Sequence, residues 1–182
     1  MAYTLEAFCK DCHTVLKSEK GPGGREKIRD LIEKMLTNKE FVAKHLGPQV
    51  KAGRETLYED PELKFCVLAH VDRSGRSSQP HDHGRSWAVY GQAIGWSEMS
   101  MWKRKSGGTG AGPAELEKVD TFRLNPGQAG IFDIGAIHGV DRSEGDCCFI
   151  RVTGEDLEVV PRLKYDLGSK QAITIESAGV SG

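Results

Sequence analysis

His81-Asp82-His83 places two imidazoles one residue apart, and it is the segment of this chain best arranged for metal chemistry. On an extended backbone, residues i and i+2 point the same way, so both rings can converge on one ion. Six histidines occur in all: His13, His45, His70, His81, His83 and His138. A competing cluster is Cys9-Lys-Asp-Cys12-His13, which has the literal spacing of a c-type haem attachment site. Attachment requires export, and the start of the chain has no basic stretch followed by an apolar run. Both cysteines also sit on the apolar stripe of a helical segment, which explains them as core residues. A zinc site there would need two more ligands, and no partner pair lies nearby. The glycine-rich run Ser106–Pro113 has neither the preceding strand nor the following helix and lysine of a phosphate-binding loop. It reads as a hairpin connection.

The elements that must hold these residues change character near residue 50. Before it the period is helical: Leu5, Phe8, Cys9, Cys12, Val15 and Leu16 form one stripe, and Ile28, Leu31, Ile32, Met35 and Leu36 a second. The Gly-Pro-Gly-Gly run at 21–24 separates the two. Thr37 and Glu40 have capping-box spacing and predict a third short helix carrying Phe41, Val42 and Leu46. From about residue 55 the chain reads as strands between turns. The predicted strands include Phe65–Val71, Ser86–Gln92, Thr121–Leu124 and Cys147–Thr153. That rhythm, with no βαβ alternation, predicts a mainly β sandwich or barrel.

Composition narrows the function classes. The 182 residues suit one domain with a real core. With 25 basic and 26 acidic residues, no overall field suits nucleic acid or an anionic membrane, and no stretch is apolar enough to span a bilayer. Five cysteines (Cys9, Cys12, Cys66, Cys147 and Cys148) are odd in number and not spaced as a disulfide framework. The expectation is reduced thiols and a cytoplasmic location.

Two motifs add a family resemblance. Gly75-x5-His81-x-His83, with Gly95 following Ala88 after six residues, resembles the first cupin motif. Gly127-x5-Asp133-x-Gly135-x2-His138 resembles the second, with Asp133 where a proline is usual. The resemblance implies a cupin double-stranded β-helix (jelly-roll) barrel over 51–182, with N-terminal helices over 1–50 packed on it. It also implies a metal site of His81, His83 and His138. The glutamate that normally supplies a further ligand is here Ala88. Three neutral imidazoles would leave the ion near +2 with open positions, a site that attracts an anion.

Loss of that glutamate, together with the run Pro80–Gly91, is similar to the thiol dioxygenases that act on 3-mercaptopropionate or cysteine. That likeness implies Fe(II), dioxygen and a small anionic substrate, a thiol acid or diketone. Arg162 matches the arginine that pairs the substrate carboxylate in the bacterial branch. The usual Ser-His-Tyr group is absent, since its strand here reads Phe149-Ile-Arg151-Val-Thr153, and Ala88 excludes a Cys–Tyr cross-link. Alternation from Ala88 puts Tyr90 and Gln92 on the inward face; Arg151 and Thr153 would line the barrel in the family's register. Tyr90, Arg151 and Arg162 are the candidate catalytic residues. Zn, Ni or Mn in a hydrolase or isomerase, or a ligand-binding cupin without turnover, remain the alternatives, and a homodimer is left open.

Overall fold

The computed structural model describes residues 3–175 apart from residue 76; the last seven residues assigned to the barrel, 176–182, lie outside them. Three helices come first: α1 (Leu5–Ser18), α2 (Pro22–Leu36) and α3 (Lys39–Leu46). Thr4 caps α1, its Oγ1 accepting from Ala7 N at 3.2 Å. The glycine–proline break proves to be a helix start, with Gly21 as the cap and Pro22 in the first turn, where its missing N–H costs nothing. The expected Thr37–Glu40 capping box does not form. Asn38 caps α3 instead, accepting from Glu40 N and Phe41 N, while Thr37 closes α2 by donating to Lys34 O. Asn38 sits one residue nearer the turn and offers the better-placed acceptor.

Twelve strands follow: β1 (Gly53–Glu59), β2 (Cys66–Asp72), β3 (Ser78–His81), β4 (Ala88–Ile94), β5 (Ser97–Ser106), β6 (Gly112–Pro113), β7 (Glu115–Leu124), β8 (Ala129–Phe132), β9 (Ile137–Arg142), β10 (Cys147–Thr153), β11 (Arg162–Asp166) and β12 (Gln171–Ile175). They pair antiparallel into a five-stranded sheet, β1-β2-β10-β4-β8, and a seven-stranded sheet, β6-β12-β11-β3-β9-β5-β7. The chain crosses between the two sheets after β2, β3, β4, β7, β8, β9 and β10. This is the double-stranded β-helix of cupins. The glycine-rich run is indeed a hairpin connection, between β5 and β7, with β6 inside it pairing with β12. Among the described residues, no helix is long and apolar enough to cross a membrane.

Alternation sorts β10 into two faces. Cys148, Ile150 and Val152 point outward into a core shared with Phe8, Ile28, Ile32, Met35 and Leu46 of the helices. Cys147 and Phe149 point inward with Ala88, Tyr90, Met99, Phe132 and Val140, and Arg151 and Thr153 continue that inward face. Helix α2 lies directly on β4 because position 91 is glycine. A Cβ there would stand 2.1 Å from Ile32 Cγ2 and 3.1 Å from Ile150 Cγ2. All five cysteines are buried and unpaired. Burial pushes the Cys9 thiol up to about 12 and raises Cys12 as well, so the haem-like motif is packing.

Candidate metal centre

His81, His83 and His138 meet inside the barrel, with ligand-capable atoms all within 4.8 Å of one another. Neither His45, on α3 against Phe41, nor His70, stacked on Phe149 at 4.6 Å, belongs to the group. His81 ends β3 and pairs with His138 of β9 across the sheet. His83 is not on the strand, contrary to the two-residue alternation expected for the pair. It lies just past β3, in a turn whose next residue, Gly84, has φ +60°. A Cβ at 84 would stand 2.2 Å from Pro161 O, so only glycine allows the turn to pass the β10–β11 loop this closely.

Asp82, between the two ligands, is what shapes that turn. Its Oδ1 accepts from Gly84 N and Leu163 N, both at 3.0 Å, and its Oδ2 accepts from Tyr165 Oη at 3.0 Å. The carboxylate therefore points away from the histidines and is not a ligand. No local pattern in the sequence marks Asp82, because Leu163 and Tyr165 lie far along the chain. At the second motif, Asp133 replaces the usual proline and accepts from Arg25 Nε of α2 at 2.5 Å. The helical segment thus holds the loop that leads into His138.

The residues fit a metal ion. His83 Nε2 and His138 Nε2 lie 3.3 Å apart, and two nitrogens bound tetrahedrally at ~2.0–2.1 Å would be about 3.3–3.4 Å apart. His81 Nδ1 is directed at Gln79 O at 3.0 Å, which leaves its Nε2 for the ion. Burial holds all three imidazoles below their ordinary pKa, His83 and His138 well below. The charge of Arg151 adds to that lowering at all three, and neighbouring ring charges add to it at His83 and His138. The rings are thereby kept in the neutral form a metal requires. Ala88, fully buried, fills the place of the missing carboxylate with hydrocarbon, and Phe132 packs on His138 at 4.2 Å.

The other expected residues fall as follows. Tyr90 projects inward and its Oη lies 3.1 Å from His83 Nε2. Arg151 also faces inward, 9% exposed, with its guanidinium carbon 5.8 Å from the Tyr90 ring centre. Its side chain makes no hydrogen bond or ion pair with any other described residue, and Nε is buried without a partner. Thr153 is buried nearby with its Oγ1 also unpartnered. Gln92 is inward but remote, tied to Ile94 O, Ser97 and Cys147. Arg162 is half-buried at the rim, donating from Nε to Leu157 O at 3.0 Å and from Nη2 toward Glu158 Oε1 at 3.5 Å. A cleft of about 680 Å³ lies on the outer face of the seven-stranded sheet, with Asp82, Trp102, Tyr165 and Arg162 in its wall and none of the three histidines.

No protein-family model matches the chain, and no curated protein matches it. Solved structures do. KdgF from Halomonas sp. is 19% identical, with 55% of this chain and 76% of that one covered at a TM-score of 0.41. A double-stranded β-helix protein from Klebsiella pneumoniae is 16% identical over 62% of this chain and 84% of that one, TM-score 0.40. The Cnp3 cupin domain of Schizosaccharomyces pombe is 11% identical over 60% and 71%, TM-score 0.44. The sheet topology is a double-stranded β-helix, and its three-histidine cluster could hold one metal ion.

Proposed function

We propose that this protein is a mononuclear metal enzyme acting on a small organic anion, with Fe(II) and dioxygen as the leading pairing. The observation that carries the reading is Arg151. A buried guanidinium without a carboxylate is costly unless a ligand completes it. Arg151 sits beside the phenol that touches a metal-ligand histidine. Its planar fork suits a carboxylate at the far end of a ligand whose near end reaches the three histidines. Tyr90 Oη is placed to donate a hydrogen bond to an anionic atom at that near end, or to pass it a proton. Phe132, Phe149 and Ala88 line the interior with hydrocarbon and keep bulk water out. A bound iron(II) would supply redox chemistry with dioxygen; Zn, Ni or Mn would supply Lewis acidity.

The likeness to thiol dioxygenases stands on the sequence motifs, and it favours a thiol acid or diketone. A second reading, a non-redox hydrolase or isomerase, is favoured by the Tyr90 phenol next to His83 combined with the missing Ser-His-Tyr group. A binding protein without turnover would show ligand affinity alone. Metal analysis followed by oxygen-electrode assays on thiol acids and β-dicarbonyls separates these. Iron-dependent oxygen uptake is expected. Its absence from iron-loaded protein that still turns over an acid would favour the second reading. Arg151→Gln should weaken the ligand by about 1.5–3 kcal/mol and leave metal content unchanged, the loss of a charge-assisted hydrogen bond. Unaltered affinity in that variant would remove Arg151 from the site.

A further inference from the structure

Two guanidiniums from two strands, Arg54 of β1 and Arg162 of β11, meet at the carboxylate of Glu158, and the charge of Arg151 on β10 is felt at Arg162. Burial lowers the pKa of Arg162, Glu158 opposes that, and the charges of Arg151 and Arg54 add to it, as expected for cations held close together. Among the described residues, one carboxylate is paired with Arg54 and Arg162. Glu158 Oε1 is in contact with Arg54 Nη1 and accepts from Arg162 Nη2 at 3.5 Å. No described carboxylate reaches Arg151.

The placement of Glu158 is built into the fold. It belongs to the loop joining β10 to β11, where Leu157 and Val160 are buried on either side of it. Its N–H donates to Asp156 Oδ1 at 3.0 Å, and Val159 N donates to Asp156 O at 3.2 Å. Arg162 Nε reaches back to Leu157 O, so cation and carboxylate are set by the same loop. A carboxylate shared by two guanidiniums is also the arrangement a dicarboxylic ligand would need for its second acid group.

We propose that Glu158 is a specificity-determining residue, which occupies Arg54 and Arg162 and leaves Arg151, among the described residues, as the unpaired cation beside the three-histidine centre. The site then accepts ligands with a single negative group beyond the end that meets the metal. Ligands with two such groups are rejected by Glu158, through charge repulsion and because their cations are already taken. This rests on the anionic-ligand reading above.

The test is isothermal titration of the metal-loaded full chain with 3-mercaptopropionate and mercaptosuccinate, which share a thiol end and differ by one carboxylate. Wild-type protein should bind the monocarboxylate at least about 10-fold more tightly. Glu158→Gln, nearly isosteric, should raise affinity for the dicarboxylate about 10-fold with little change for the monocarboxylate. Adding Arg54→Gln to Glu158→Gln should reverse most of that gain, which a general loosening of the loop would not do. Metal content equal to wild type shows that each variant is folded at the site. An affinity ratio unchanged by Glu158→Gln overturns the role of Glu158 alone. Failure of both acids to bind any form overturns the anionic-ligand reading and this inference with it.

Discussion

At the scale of single residues, the centre depends on groups that never reach the ion. Asp82 spends both oxygens on Gly84 N, Leu163 N and Tyr165 Oη, and in doing so fixes the turn on which His83 is carried. Outer partners of this kind typically alter metal affinity 10–100-fold. Asp82→Asn keeps the shape but gives up one strong acceptor, and should weaken metal binding by at least about 10-fold in a competition titration. Wild-type affinity in that variant would mean the turn is set by Gly84 alone. The histidine pair was legible in the sequence through the motif that frames it, although His83 reaches the centre from a turn and not by strand alternation. Asp82 was not, since its partners lie some 80 residues away and no local pattern names them. Arg151 was placed on the inward face by alternation from a family register. That it stands unpaired is visible only once every carboxylate around it has a position.

Among the elements, α2 does more than cover a sheet. Arg25 holds Asp133 ahead of His138, and Glu33 Oε1 accepts from Ala129 N at the start of β8, so the helix grips both ends of that edge strand. Gly91 is what lets it come so close. Gly91→Ala should force Ile32 and Leu36 outward and destabilise the fold by about 1–3 kcal/mol in urea denaturation, as overpacking does. No loss of stability would mean that α2 can shift without penalty. The helices and the buried strands β2, β4 and β10 were readable because their runs are uninterrupted, whereas the long strand β5 was not predicted and only the end of β7 was. The short strand β3 was not, since its four residues include Pro80 and its partners come from β9 and β11. Thr37 misled for a local reason: Asn38 competed for the same cap and won.

For the whole molecule, the interior is a set of buried neutral histidines facing guanidiniums, and this sets its response to pH. His70 is held well below its ordinary pKa, first by burial and then by the charges of Arg151, Arg54 and Arg142. In the unfolded chain His70 takes up a proton near pH 6.5, whereas in the folded chain it does so only well below that. The unfolded state therefore binds more protons in this window, and stability falls as pH drops from about 7 toward 5. His70→Phe keeps a ring on Phe149 and removes the titration, so its melting temperature should decline less steeply over that range. An identical slope would assign the acid sensitivity elsewhere.

His81 of β3, His83 of the turn after it and His138 of β9 are expected to hold one ion between them, and this binding anchors every reading of the site. It is tested most directly by elemental analysis of protein purified without a histidine tag and reconstituted with Fe(II) or Zn(II). One ion per chain is expected for wild type and for His45→Ala, and close to none for His83→Ala or His138→Ala with the fold intact by circular dichroism. Full metal content in the His83 and His138 variants, or none in the wild type under any loading, would contradict it.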